Sequence, residues 1–206
     1  MQDKELSIEE SIKKAIETYN KYSSIYAKYT QNKLLQFQLA KFVSMLPEKG
    51  KILDAGCGSG RDTAYLQEDG LEVTAVDISE GMIKEAEKNG VNAVKGDLLK
   101  MISNEEFVGI WCMATLADIP KSQSKKLLQN FYKALKKEGI LYLAVKEGDG
   151  EKIIEKERYE NSPRFYAFYK KEELEKLLKE NGFEIIESSV STDEETNWVE
   201  IFAKKN

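Results

Sequence analysis

The stretch ILDAGCGSGRDT, Ile52–Thr63, limits the possible folds more than any other part of this chain. Four residues that read as a buried strand run into glycines at 56, 58 and 60, and a helical pattern starts directly after the last of them. Glycine takes positive φ without penalty and lets a backbone approach a ligand closely. A strand, a bare turn and a helix in that order put the turn at the carboxyl end of a strand, where open α/β sheets bind their ligands. A dinucleotide fingerprint G-x-G-x-x-G would place its third glycine at position 61. Arg61 stands there instead, and the spacing is G-x-G-x-G, preceded by Asp54.

Apolar segments of strand length alternate with amphipathic ones from Gly50 onward. The pattern predicts strands at 51–55, 72–76, 91–94, 107–112, 139–146, 183–191 and 197–204, and helices near 61–69, 79–89, 122–137 and 170–181. Ser122, just after Pro120, is placed to cap the third of these helices, and Asn181-Gly182 to stop the last. Upstream, residues 5–46 read as helical: Leu34, Leu35, Leu39, Phe42, Val43 and Leu46 recur at helical spacing until Pro47. Such alternation implies a parallel sheet with helices on both faces. Only TDEET separates the last two strands, too little for a crossover, so they form an antiparallel hairpin. The expected fold class is α/β, a Rossmann-like seven-stranded, mostly parallel sheet with a C-terminal antiparallel hairpin strand. Residues 1–206 read as one domain: a helical segment over 1–46 and a core over 47–206, with 147–169 as an insertion.

Composition narrows the chemistry. A chain of 206 residues can bury a sizeable core, and no apolar run approaches the roughly 20 residues of a membrane span. The start, MQDKELSIEESIKK, is charged and lacks the apolar centre of a signal peptide, so a cytoplasmic location is expected. A net charge of −5 speaks against affinity resting on nucleic-acid phosphates. The absence of histidine excludes Ser-His-Asp and Cys-His catalysis. It also leaves Cys57 and Cys112 short of partners for a structural zinc; both read as free thiols, and no metal is expected. Acid–base chemistry must come from Asp, Glu, Tyr, Lys, Cys or water. Among 31 basic residues the arginines are Arg61, Arg158 and Arg164, either sites that need a planar bidentate donor or an accident of composition.

The second strand, LEVTAVD, ends in Asp77, and an acid at that tip can accept both hydroxyls of a ribose diol. KGDLL puts Asp97 at the third tip, where it can accept from an adenine amino group. The glycine loop, Asp77 and Asp97 together resemble the class I S-adenosylmethionine-dependent methyltransferases, and S-G-R-D-T resembles a subset of small ones. The resemblance runs from Lys51 to the C-terminus. It implies S-adenosylmethionine as cofactor, with S-adenosylhomocysteine as product. By position, Asp54, Gly56, Cys57 and Gly58 would line the methionine part, and Asp77, Ile78 and Met82 the ribose and the adenine edge. Gly96, Asp97 and Leu98 would flank the adenine. The family's fourth motif falls at GIWCMATLADIP, putting Trp111, Cys112 and Met113 by the sulfonium. Arg61 either clamps the methionine carboxylate bidentately or opens a solvated helix start at which Asp62 is favoured by the dipole. Asp54 either fixes the loop through backbone N–H groups or touches the ligand. Cys57 reads as a small residue beside the cofactor.

Tyr19, Tyr22, Tyr26 and Tyr29 form one stripe on a helix, either packing on the sheet or serving as a lid. Related methyltransferases carry a similar segment, and the resemblance assigns Tyr22, Tyr26 and Tyr29 to the methionine end, with 1–46 as the lid. The acceptor would enter over the fourth and fifth strand ends. There Asp118 stands where many relatives have histidine, as a general base or a cap. Residues 147–169 are too long for a tight connection and suit an active-site lid. They carry Glu147, Arg158, Arg164, Tyr166 and Tyr169. Arg158, Arg164 and Tyr166 suggest contacts to an anionic or planar polar substrate, or a lid held by Arg–Glu pairs. Trp198 either walls the pocket or belongs to the core. The implied reaction is methyl transfer to a small-molecule acceptor by in-line displacement, driven chiefly by orientation, with Asp118 or Tyr26 assisting a hydroxyl acceptor. The alternatives are a methyltransferase acting on RNA or tRNA and a non-catalytic S-adenosylmethionine-binding protein. A nicotinamide enzyme is disfavoured by Arg61 and the terminal hairpin. A monomer or homodimer is expected, with no membrane partner.

Overall fold

The computed structural model describes residues 8–193 and 196–206, so the expected helical residues 5–7 and two residues of TDEET lie outside the described residues. Three helices come first: α1 (Ile8–Lys21), α2 (Ser23–Thr30) and α3 (Gln36–Met45). The α/β alternation follows as β1 (Lys51–Ala55), α4 (Arg61–Glu68), β2 (Glu72–Asp77), α5 (Glu80–Lys88), β3 (Ala93–Lys95), β4 (Phe107–Met113), α6 (Lys121–Ala134) and β5 (Leu135–Lys146). A hairpin of β6 (Glu151–Glu155) and β7 (Pro163–Ala167) leads to α7 (Lys171–Glu180), β8 (Phe183–Asp193) and β9 (Thr196–Lys205).

Seven strands form one sheet in the order β3-β2-β1-β4-β5-β9-β8. β1 to β5 are parallel; β9 inserts antiparallel between β5 and β8. The period-2 alternation of side chains supplies both cores. Leu53, Ile110, Cys112, Leu141, Leu143 and Ile201 face α6 and α7, where Leu127, Phe131, Leu174 and Leu178 close over them. Ile52, Trp111, Tyr142 and Phe202 face the other way and take Leu39 and Phe42 of α3 and Leu66 of α4. On that side Trp111 stacks on Tyr142 with centroids 3.9 Å apart, and Phe42 meets the indole edge-on at 5.5 Å. The expected helices on both faces are therefore present.

The 147–169 insertion takes a definite form, and three local expectations are corrected. The 147–169 insertion is an ordered hairpin, β6 paired with β7 in its own two-stranded sheet. Its short, charge-flanked Ile153-Ile154 core gave no readable alternation. The helix expected over 122–137 ends at Ala134, because Leu135 turns extended and pairs with Phe107 at the start of β5. Pro120, not Ser122, precedes the first turn of α6; the Lys121 N–H there donates to Glu151 Oε1 at 2.7 Å, and Ser124 Oγ bonds back to the Pro120 carbonyl. The N-terminal helix breaks at Tyr22, whose φ of −112° and ψ of 24° leave the helical region.

Candidate functional site

The carboxyl ends of β1, β2, β3 and β4 open onto two cavities that share a wall. The larger, about 550 Å³, is lined by Asp77, Ile78, Met82, Gly96, Asp97, Leu98 and Asp118 among others. The smaller, about 350 Å³, is lined by Asp54, Cys57, Arg61, Arg158, Arg164, Tyr166 and Trp198 among others. Tyr19, Tyr26, Gly56, Gly58, Met113 and Ala114 line both.

The glycines of the turn have separate causes. Gly56 sits at φ +81°, and a Cβ there would lie 2.1 Å from Thr115 Oγ1, a hydroxyl held by its 2.7 Å bond to the Ala55 carbonyl. Gly58, at φ +55°, would point a Cβ into open space within the cavity. Its N–H donates to Asp77 Oδ2 at 2.9 Å, while Asp77 Oδ1 accepts from the Ser79 N–H at 2.8 Å. Asp77 is thus held by backbone donors on both oxygens and keeps acceptor capacity. Burial pushes the Asp77 carboxyl up from its ordinary value, and the backbone donors oppose that shift. Asp97 accepts from the Leu99 N–H at 3.0 Å.

Arg61 and Asp62 answer for the residues after the last glycine. Asp62 is buried at 6% exposure and accepts from Arg61 Nε at 2.6 Å, Arg61 Nη2 at 3.0 Å and Trp111 Nε1 at 3.0 Å. Arg61 Nη1 donates to the Thr30 carbonyl at the end of α2 at 3.0 Å. The helix start is therefore not solvated: the pair bolts the glycine turn to α2 and to β4. Beneath it, Asp54 is 2% exposed and accepts from Thr63 Oγ1 at 2.5 Å. Burial, then the neighbouring Asp62 charge, pushes its carboxyl up to about 7. Asp54 bonds a hydroxyl here, not the loop amides.

Five of the residues singled out in the sequence line neither cavity: Tyr22, Trp111, Cys112, Tyr169 and Glu147. Tyr22 turns away at the helix break; its hydroxyl donates to Glu160 at 2.5 Å and its ring packs by Tyr159. Trp111 is fully buried under the sheet, serving Asp62. Cys112 is buried among the α6-facing residues. Both cysteines are free, and burial raises both thiols. Tyr169 is also core, bonded to Ser124 at 2.5 Å, and Glu147 accepts from Asn197 outside the cavities. Trp198 is cavity wall.

Further residues complete the site. Tyr19, one turn before the break, takes the place foreseen for Tyr22: its hydroxyl donates to Asp118 Oδ2 at 2.9 Å. Ala114 holds φ +62° at the shared wall, a strained conformation for a residue with a Cβ. Lys146, Lys156 and Tyr159 also line the smaller cavity. The helical stripe pointed to Tyr19, and of the residues singled out in the insertion Arg158, Arg164 and Tyr166 line the smaller cavity, whereas nothing in the pattern pointed to Lys146, Lys156 or Tyr159.

Asp118 and Arg164 are incompletely satisfied. Arg164 Nη2 lies 3.5 Å from Asp118 Oδ1, and neither that oxygen nor Arg164 Nε has a hydrogen-bond partner. Burial holds the Asp118 carboxyl well above the ordinary carboxylate range. Tyr26 is raised as well, by burial and then by Asp118, so its phenol stays protonated at neutral pH.

A family described as Methyltransferase domain matches residues 26–188 of this chain. A methyltransferase-named protein of Bacillus subtilis (strain 168), YqeM, is 30% identical over 137 residues, which are 62% of this chain and 55% of that protein. A malonyl-(acyl-carrier protein) O-methyltransferase of Enterobacter lignolyticus (strain SCF1) is 30% identical over 119 residues, 55% of this chain and 47% of that one. The chain thus spans about half the length of these curated relatives. Among solved structures, the 1,6-didemethyltoxoflavin-N1-methyltransferase of Burkholderia thailandensis, with 1,6-didemethyltoxoflavin and S-adenosylhomocysteine bound, superimposes with a TM-score of 0.80. At 21% identity, covering 100% of this chain and 93% of that one, this likeness concerns the fold.

Proposed function

The chain belongs to the methyltransferase domain family, and on that premise we propose that it transfers the methyl group of S-adenosylmethionine to a small-molecule acceptor. The observation that carries this reading is the meeting of two cavities at Tyr19, Tyr26, Met113 and Ala114: one suits a nucleoside, the other is lined by charge and aromatic rings. S-adenosylmethionine, when bound, supplies an electrophilic methyl group on a sulfonium sulfur.

The residues present fit that cofactor. Asp77 has acceptor capacity left for a ribose diol, and Ile78 and Leu98 offer apolar faces beside Asp97 for adenine. Three of the Arg61 N–H groups are engaged by protein, and the remaining donors suit a carboxylate. Asp54, poised near neutrality, suits an ammonium. Tyr19 and Tyr26 exclude water at the junction and orient the acceptor, and Tyr26 does so as a hydrogen-bond donor rather than as a base. Asp118 lines the larger cavity beside the junction, and because burial holds its carboxyl well above the ordinary carboxylate range it receives a proton from a hydroxyl acceptor only at a pH high enough to ionise it, which Lys146 favours. A cavity of about 350 Å³ roofed by the β6–β7 hairpin supports a small acceptor over a polynucleotide.

Calorimetric titration with S-adenosylhomocysteine and, in parallel, with NAD tests the reading. Micromolar binding of the first and none of the second is expected; binding of neither, or of NAD alone, overturns it. Labelled methyl donor then identifies acceptors, and binding of mixed tRNA at two salt concentrations would reveal an RNA substrate. A kcat of Asp118→Asn equal to wild type removes Asp118 as a base.

A further inference from the structure

The acceptor end of the smaller cavity gathers Lys146, Lys156, Arg158 and Arg164. Among the described residues Lys146, Lys156 and Arg158 form no ion pair within 4.0 Å, and Arg164 has only the 3.5 Å approach of Asp118. Lys156 lies near enough to Lys146 that its charge joins burial in lowering the Lys146 pKa. Two acids, Glu200 and Asp193, share the lining with these four cations, and Asp193 and Asp118 oppose the lowering of the Lys146 pKa. Glu200 accepts from Tyr142 and from Ser191, and Asp193 accepts from Trp198 Nε1. With four cations to two acids, the repulsion left in a low-dielectric pocket is relieved by a further counter-charge.

Arg164 is the centre of this group. It is 6% exposed, and its guanidinium carbon lies 4.2 Å from the Tyr19 ring centroid and 4.8 Å from that of Tyr166. An aromatic enclosure of this kind would attract a cationic substrate, but the arginine itself fills it. Its Nε–H has no partner although the side chain is buried, an arrangement rare unless a ligand or water completes it. Arg158 stacks on Tyr29 at 3.8 Å, on the same rim.

We propose that this end is an oxyanion receptor: the acceptor carries a carboxylate or phosphate on a planar ring, gripped by the Arg164 fork with Arg158, Lys146 and Lys156. The inference rests on the methyl-transfer reading for the identity of the ligand as acceptor, and on the cavity alone for its charge. The ring follows from the walls, which are Tyr142, Tyr159, Tyr166 and Trp198.

The test is calorimetry on the protein saturated with S-adenosylhomocysteine, titrated with benzoate, phenyl phosphate, benzamide and benzylamine. Benzoate or phenyl phosphate should bind at least about tenfold more tightly than benzamide, and benzylamine not at all, with affinity falling as salt rises. The tighter of the two anions tells carboxylate from phosphate. Arg164→Lys, which keeps the charge and loses the fork, should weaken the anion about tenfold. Lys156→Gln should weaken it severalfold while S-adenosylhomocysteine affinity stays unchanged. The proposal is overturned if the neutral or cationic probe binds as well as the anions. It is equally overturned if no anion binds up to ~20 mM, or if Lys156→Gln and Arg158→Gln both leave anion affinity unaltered. Should S-adenosylhomocysteine itself fail to bind, the methyl-transfer reading falls. The same anion titration on the protein alone then still decides the receptor.

Discussion

Replacing Asp62 by asparagine removes a charge on which three donors converge: Arg61 Nε, Arg61 Nη2 and Trp111 Nε1. The side chains of Arg61 and Asp62 are 19% and 8% exposed, so solvent does little to screen their attraction. Asparagine keeps one acceptor oxygen and leaves the guanidinium without its counter-charge. Breaking a buried pair on one side costs about 3–5 kcal/mol. For a chain of this size each kcal/mol lowers the melting temperature by about 2–4 °C, so the midpoint should fall by about 6–20 °C. Trp111→Phe keeps the pair and removes one charge-assisted bond, costing about 1.5–3 kcal/mol. Urea unfolding and scanning calorimetry measure both. Because the two changes share one carboxylate, their effects should fall short of additivity by at least about 0.5 kcal/mol. A loss under about 1 kcal/mol for Asp62→Asn would refute the buried-pair reasoning, and strict additivity would refute the shared network.

Asp54 predicts a pH effect of definite sign. Its folded pKa is raised to about 7, so its contribution to stability is fully present below about pH 4 and is lost as pH rises through about 7, by at most ~4 kcal/mol. Asp54→Asn should flatten the urea midpoint over that window, and an unchanged slope would remove Asp54 as the cause. Gly56→Ala must fit a Cβ 2.1 Å from Thr115 Oγ1 and should cost clearly more stability than Gly58→Ala, which meets only the positive-φ penalty of about 1–2 kcal/mol. In return, Gly58→Ala should lower S-adenosylhomocysteine affinity; equal stability losses would contradict the geometry. Asp77→Asn leaves one of the Gly58 and Ser79 N–H groups poorly paired and should cost about 1–3 kcal/mol, with cofactor affinity down at least about tenfold by calorimetry.

The order and direction of the strands were legible because two signals agreed: apolar runs of strand length separated by amphipathic ones, and a terminal pair too close for a crossover. The acids at strand tips were legible for the same reason, since a tip position follows once the strand is placed. What the sequence hid depends on contacts between distant segments. Tyr22 shares its helical stripe with Tyr19 and Tyr26, and only the break at Tyr22 turns it to Glu160. Trp111 sits in the right motif, but strand alternation sends it beneath the sheet to Asp62, 49 residues away in the chain. The β6–β7 hairpin has few apolar residues to show a period, and its ordering comes from α1, where Thr18 Oγ1 bonds the Pro163 carbonyl at 3.0 Å.

α1 and α2 are fastened at several separate places. Asn20 accepts from Ser79 Oγ and the Gly81 N–H, Tyr22 reaches Glu160, Tyr19 reaches Asp118, and Arg61 holds the end of α2. Tyr19 and Tyr26 wall both cavities, so the two chambers share one gate. A shared gate makes exchange sequential in time rather than independent: whichever ligand stiffens the gate slows the departure of the other. An anion in the acceptor chamber should therefore lengthen the residence time of S-adenosylhomocysteine, and stopped-flow release with and without benzoate would read that delay directly. Loosening a fastening far from the reacting atoms, such as Asn20→Ala, should raise the release rate of S-adenosylhomocysteine.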